Sequence, residues 1–232
     1  MTLTTDSGYF PSSITGTRRQ LVLRGRQVRF GAVLAIAAMV LSMALLRPAP
    51  ARAQDTAMGV TQTMVNNALK IMANKSLPVQ QRRRQLREGI ENDFDFTEMS
   101  RSALGYNWRN ITPDQRSNFT KLFTAFIEDA YLSKIQDYSG QQVQFQGQTS
   151  LGAGYTQINT AIVQPGKNPI LVNYLLLQKD GSWKIYDVTV DAISIIANYR
   201  NQFNRVINEK GFPQLMADLQ AKQQELAALL GS

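Results

Sequence analysis

Two carboxylate groupings and one arginine run are the residues of this chain best suited to chemistry. Asp93, Asp95 and Glu98 fall close together in sequence. Helix capping accounts well for such a cluster. Asp187 lies inside an apolar stretch, in phase with Trp183 and Ile185 and opposite Tyr186, Val188 and Val190. A carboxylate facing into a cavity has a raised pKa and can serve as a general base, whereas a paired or rim-exposed Asp is the commoner arrangement. Arg82, Arg83 and Arg84 are consecutive, with Arg87 one turn on. They make either a solvated helix face or a docking surface for an acidic partner or anionic headgroups.

The composition removes most other chemistry. Histidine and cysteine are absent from all 232 residues. That leaves no Ser–His pair, no thiolate nucleophile and no His- or Cys-based metal site. No Gly-rich phosphate loop follows a strand, so nucleotide binding has no support. The expectation is a non-enzyme with no cofactor and no metal.

The elements that must position these residues centre on 141–190, which reads as four short strands cut by three turns. Residues 141–148 and 155–164 alternate apolar and polar side chains at period two. Residues 170–178 are apolar in both phases, which predicts burial on both faces. Lys179-Asp-Gly-Ser182 supplies a tight reversal into 183–190. The connections are too short for crossover helices, so neighbouring strands run antiparallel. Helical patterns flank this meander. Val60, Met64, Val65, Ala68, Leu69 and Met72 form one stripe over 55–74. A second helix starts near Pro78 and runs to about Asp93, and Asp95 or Thr97 caps a short third. Thr112, Pro113 and Gln115 make a strong start signal for a helix over 112–137 with a wide apolar face. Helical patterns follow over 191–210, ended by Gly211, and from Phe212 onward. The fold class is α+β, a curved four-stranded antiparallel meander covered by helices. Whether the apolar surface between them makes a solid core or a deep pocket is beyond periodicity.

Residues 1–53 read as an export signal, with 54–232 as one domain. Five arginines between 18 and 29 precede an apolar run over 31–46, and Ala51-Arg-Ala53 is a cleavage site. The run is shorter than the ~20 apolar residues of a membrane span. A retained anchor is the alternative. Thr17-Arg-Arg-Gln-Leu-Val-Leu23 loosely fits a twin-arginine signal. The net charge of +8 falls to +2 once 1–53 are removed, because seven of the 25 basic residues and one of the 17 acidic ones lie there. Nucleic acid is therefore not implied.

Four segments carry a resemblance. Phe94-Asp-Phe-Thr-Glu-Met-Ser-Arg-Ser-Ala-Leu-Gly105, then Trp108 with Thr112-Pro-Asp-Gln-Arg116, then Trp183-Lys-Ile-Tyr-Asp-Val188, then Asp191-Ala-Ile-Ser-Ile-Ile-Ala-Asn-Tyr-Arg-Asn-Gln-Phe203 resemble the Mla-type periplasmic phospholipid-binding, or toluene-tolerance, family. The likeness runs through 54–232 in order. Ala192 departs from it, since the family usually carries Gly there. A hopanoid-associated branch is similar.

The resemblance implies a nuclear-transport-factor-like sheet with added helices and acyl chains held between them. It implies a carrier moving phospholipid between an outer-membrane lipoprotein–porin complex and an inner-membrane ABC transporter, maintaining outer-membrane asymmetry, with transient membrane contact. By position, Ile170 and Ile193 look like the family's pocket-lining residues, and strand and helix phase adds Phe123, Phe126, Ile127, Ile162 and Val172. Arg116, Lys167 and Asp191 look like rim residues for partner docking, or else ordinary solvated surface. Two rivals stand beside the carrier. One is an isomerase or dehydratase using Asp187 as base; the other is a pocketless adaptor docking through Arg82–Arg87.

Overall fold

The computed structural model describes residues 56–132 and 138–231. The export signal read from residues 1–53 lies outside the described residues, as do 133–137, the expected last turn and more of the long helix.

Helix α1, Ala57–Ala73, begins where Thr56 Oγ1 accepts the Gly59 N–H at 3.0 Å. Helix α2, Val79–Asp93, follows Pro78, whose fixed φ of −52° prepares the first turn. The chain leaves α2 extended, and Phe94 bridges Ile185 while the Asp95 N–H donates to the Ile185 carbonyl at 2.8 Å. Asp95 then caps α3, Phe96–Leu104, accepting from the Glu98 N–H at 3.0 Å and from Lys179 Nζ at 2.7 Å. The carboxylate cluster thus includes a cap. A 3₁₀ turn, Gly105–Asn110, leads to α4, Pro113–Leu132. Its start is a reciprocal capping box: Gln115 N–H donates to Thr112 Oγ1 and Thr112 N–H donates to Gln115 Oε1.

Strands β1 (Gln142–Gly152), β2 (Tyr155–Val163), β3 (Ile170–Lys179) and β4 (Ser182–Val190) pair antiparallel in sequence order. A fifth strand beyond the four expected, β5 (Ile193–Ser194), turns back on β4 through Asp191 and Ala192, both at positive φ. Ser194 caps α5, Ile195–Lys210, so this helix starts four residues later than its apolar pattern suggested. Gly211, at φ 85°, separates it from α6, Phe212–Gly231.

The sheet's register corrects the strand phase of Asp187. Leu175 pairs with Asp187 but Leu176 pairs with Ile185, so Tyr186 is an extra residue in a bulge. The bulge shifts the alternation by one, placing Ile185 and Val188 on one face and Asp187 on the other. The rows Thr156–Leu176–Ile185 and Ile158–Tyr174–Val188 therefore share a face. The two-sided burial expected of β3 holds only at its far end, where Leu176 and Leu177 are buried; Ile170 and Leu171 are exposed.

Two kinds of packing result. Phe119, Phe123, Phe126 (α4), Tyr199 and Phe203 (α5) form a dense aromatic core, with Phe123 and Phe203 centroids 5.5 Å apart and nearly perpendicular. Between α1 and the sheet, Ala57, Ile158, Leu176 and Ile185 form a smaller aliphatic cluster.

Candidate functional site

Beyond that aliphatic cluster, α1, α2, α4 and the sheet do not close on one another. A cavity of about 640 Å³ remains, inside the ~300–1,000 Å³ typical of ligand pockets. Helix α1 contributes Met64, Ala68, Ile71 and Met72; α2 contributes Leu86, Gly89 and Ile90; the sheet contributes Val143, Ile162, Ile170, Tyr174 and Val188. The row Val143–Ile162–Ile170 lies at one end. Gln164, Lys167 and Asn168, from the loop between β2 and β3, stand beside it.

The cavity wall suits an uncharged guest. Burial pushes the Tyr174 hydroxyl up to about 12. Burial likewise raises the Asp93 carboxyl, with Lys184 pulling the other way. The buried Glu128 carboxyl is pushed up to about 7, chiefly by desolvation, which the Arg87 guanidinium only partly offsets. Such a wall can exclude water and hold hydrocarbon.

The expected site residues divide by location. Ile127, Ile162 and Ile170 line the cavity. Phe123 and Phe126 instead point into the aromatic core, because α4 turns one face to α5 and another to the cavity. Val172 is buried within the sheet between Thr160 and Val190. Ile193 is outside the lining and 66% exposed on the short edge strand β5, although Ile195 two residues on does line the cavity.

Of the three rim residues, Lys167 alone stands at the cavity. Arg116 Nε donates to the Trp108 carbonyl at 2.9 Å with its guanidinium over the Trp108 ring. Asp191 Oδ1 accepts the Leu171 N–H at 3.0 Å, pinning the turn to β3.

The arginine run is not a free docking face. Arg82 and Arg83 are buried. Arg82 Nη1 donates to the Met72 carbonyl at 3.1 Å, and Arg83 Nη1 donates to the carbonyl of Leu230. Arg87 pairs with Asp129 and Glu128, leaving Arg84 exposed. Asp187 is likewise engaged. Its carboxylate accepts from the Val188 and Ile196 N–H groups and from the Ser194 hydroxyl, and it is absent from the cavity lining. Those donors make it a positioning group for the start of α5 rather than a base facing a substrate.

Sequence reasoning missed most of the α1 and α2 lining. The available signal was the α1 stripe itself, where Met64 and Met72 supply flexible, polarisable side chains suited to an adaptable apolar wall.

A helix-covered antiparallel sheet enclosing an apolar, mostly uncharged cavity defines a binding module for a hydrophobic ligand. The family model for the MlaC protein matches residues 62–221, and the chain belongs to that family. It is 27% identical over 158 residues to the intermembrane phospholipid transport system binding protein MlaC of Haemophilus influenzae, covering 65% of this chain and 73% of that relative. A phospholipid-binding protein from Ralstonia solanacearum, solved in complex with a phospholipid, superposes with a TM-score of 0.65 at 22% identity, over 77% of this chain and 99% of the other; the fold is shared. These relatives are named as binding proteins rather than enzymes. Among the described residues, no helix is long and apolar enough to cross a membrane.

Proposed function

We propose that this protein is a periplasmic phospholipid carrier, and the observation that carries the proposal is the apolar cavity between α1, α2, α4 and the sheet. Family membership and the two relatives named for phospholipid support the choice of ligand. In this reading the acyl chains lie against Met64, Ala68, Ile71, Ile127 and Ile162, with the headgroup near Lys167 and Asn168. Residues 1–53 act as a signal peptide cleaved after Ala53, and the domain shuttles lipid between an outer-membrane lipoprotein–porin complex and an inner-membrane ABC transporter, maintaining outer-membrane asymmetry. Lys167 is the rim residue best placed to meet a partner.

Burying two acyl chains of roughly thirty carbons is worth ~25 kcal/mol gross against water, at about 0.8 per methylene. A bilayer offers similar burial, so the carrier gains little net by extracting lipid. Direction is then set by partner docking and by the transporter, not by intrinsic affinity. Native mass spectrometry of the exported protein with lipid extraction is the test. A co-purifying phospholipid near one per chain is expected. A bare protein that also fails to take lipid from phospholipid vesicles would overturn the reading, and a polycyclic lipid in the extract would reassign the ligand.

A further inference from the structure

Glu128 is the one acidic residue of α4 that lines the cavity, and it is 4% exposed. Its Oε1 has no hydrogen-bond partner among the described residues. Its Oε2 is 3.4 Å from Arg87 Nε, while Nη2 of the same guanidinium is 2.6 Å from Asp129 Oδ1. Asp129, also buried, takes a second hydrogen bond from Gln223 Nε2 of α6 at 3.0 Å. One guanidinium thus serves two adjacent buried carboxyls and makes its short contact with the other one. Glu91, from α2, adds a further negative field. The remaining titratable groups on the cavity wall are Asp93 on α2, Tyr131 on α4, Tyr138 before β1, Tyr174 on β3 and Lys167 at the rim.

Oε1 is itself out of solvent contact, but a cavity of this size, when it holds no lipid, admits water, whose polarisation reaches the carboxyl through the wall. Acyl chains displace that water. A carboxylate that loses solvation is disfavoured relative to its neutral acid, and Arg87, which makes its short contact with Asp129 and stands 3.4 Å from Glu128, offsets only part of that cost. Burial already holds Glu128 at about 7 without a guest, so a further rise takes place near neutral pH.

We propose that the cavity takes up a proton on Glu128 together with its lipid, so that loading is tightest at acidic pH and weakens as pH rises above neutrality. This rests on the carrier reading. It also adds to it, because the two ligands are thermodynamically linked: lipid raises proton affinity and protons raise lipid affinity by the same factor.

The test uses the protein as recovered from expressing cells, delipidated and titrated with a fluorescent phospholipid between about pH 5.5 and 8.5. Expected is a constant Kd on the acidic side and a rise above about pH 7 of up to tenfold per pH unit, the limit for one proton. Glu128→Gln should hold the tight value throughout. Calorimetry of the unaltered protein in two buffers of different ionisation enthalpy, near pH 7.5, should register fractional proton uptake per lipid, which decides the matter if the variant does not fold. The same pH slope in both proteins, or no proton exchanged on binding, overturns the inference while leaving the carrier reading intact. No phospholipid bound at any pH overturns the carrier reading itself.

Discussion

Helix α4 separates two regions built to opposite specifications. On one face Phe119, Phe123 and Phe126 interlock with Tyr199 and Phe203, rings 5.4 to 6.4 Å apart. On the other, Ile127, Glu128, Tyr131 and Leu132 face a void bounded by methionines, isoleucines and a glycine. The aromatic side is rigid and full, and it holds α3, α4, α5 and α6 in place. The cavity side mixes aliphatic residues with a few rings such as Phe94, Phe96 and Tyr174, and its small cluster of Leu86 and Leu132 with Ala68, Ile71 and Ile90 leaves room between helices. Apolar character alone therefore does not mark a binding surface. Rings packed on all sides mark structure; the site is marked by side chains with no partner opposite, aliphatic for the most part but including the stacked Phe94–Phe96 pair.

The largest expected effect comes from breaking the full side. Phe123→Ala should destabilise the fold by about 3–5 kcal/mol, as for a large buried aromatic. Chemical denaturation would read this, and the molecules that remain folded should carry as much lipid as before. Reduced lipid per folded molecule would mean that the two regions are not separable.

Next is the pH dependence of the cavity wall. Glu128 rises from an ordinary 4.5 to about 7 in the fold, so between those pH values the native state holds a proton that the unfolded chain releases. Stability should therefore fall as pH rises through this window, by on the order of 3 kcal/mol. Unfolding followed from pH 4 to 8 should show the decline, and Glu128→Gln should flatten it. An equal decline in both would place its origin elsewhere.

Gly89 sharpens the contrast further. It lies inside α2 on the cavity wall, and a Cβ added there would meet nothing within 4 Å. Gly89→Leu should stabilise the helix by up to ~1 kcal/mol while lowering phospholipid uptake several-fold. A variant that is more stable yet binds as before would show that the guest does not use this part of the void.

The smallest effect belongs outside both regions. Ala192 sits at φ 67° beside Asp191 at φ 46°, a left-handed conformation that costs a residue with a side chain ~1–2 kcal/mol. Ala192→Gly should gain about 1 kcal/mol in thermal unfolding with lipid binding unchanged. A loss of stability would mean that the methyl group makes a contact worth more than the strain.

What the sequence made legible was whatever is settled within a few residues. The Thr112–Gln115 capping box, the Asp95 cap and the Lys179–Ser182 reversal are local, and each lies where the spacing put it. The failures are mostly distant; the Asp191–Ala192 hairpin, in a stretch whose apolar pattern reads as helix, is a local one. Reading Asp187 needed the bulge at Tyr186, which exists only in relation to β3. Reading Arg82 and Arg83 as surface was reasonable until Met72 and Leu230 supplied carbonyls for them. Phe123 and Ile127 share one apolar face by period. Both belong to the helical core, and only the arrival of α5 against the first and of α2 near the second leaves Ile127 also lining the cavity.

The link between Arg83 and Leu230 joins positions 147 residues apart, and Gln80 donates to the same carbonyl. A polypeptide delivered N-terminus first presents α2 early and this acceptor late. Until residue 230 arrives, the guanidinium has yet to meet this partner and α2 lacks its anchor on that side. The roof of the cavity is thus among the last parts of the molecule to be secured, after the sheet beneath it can already have paired. A chain still being delivered would have a floor ready for hydrocarbon before it had a lid to retain any.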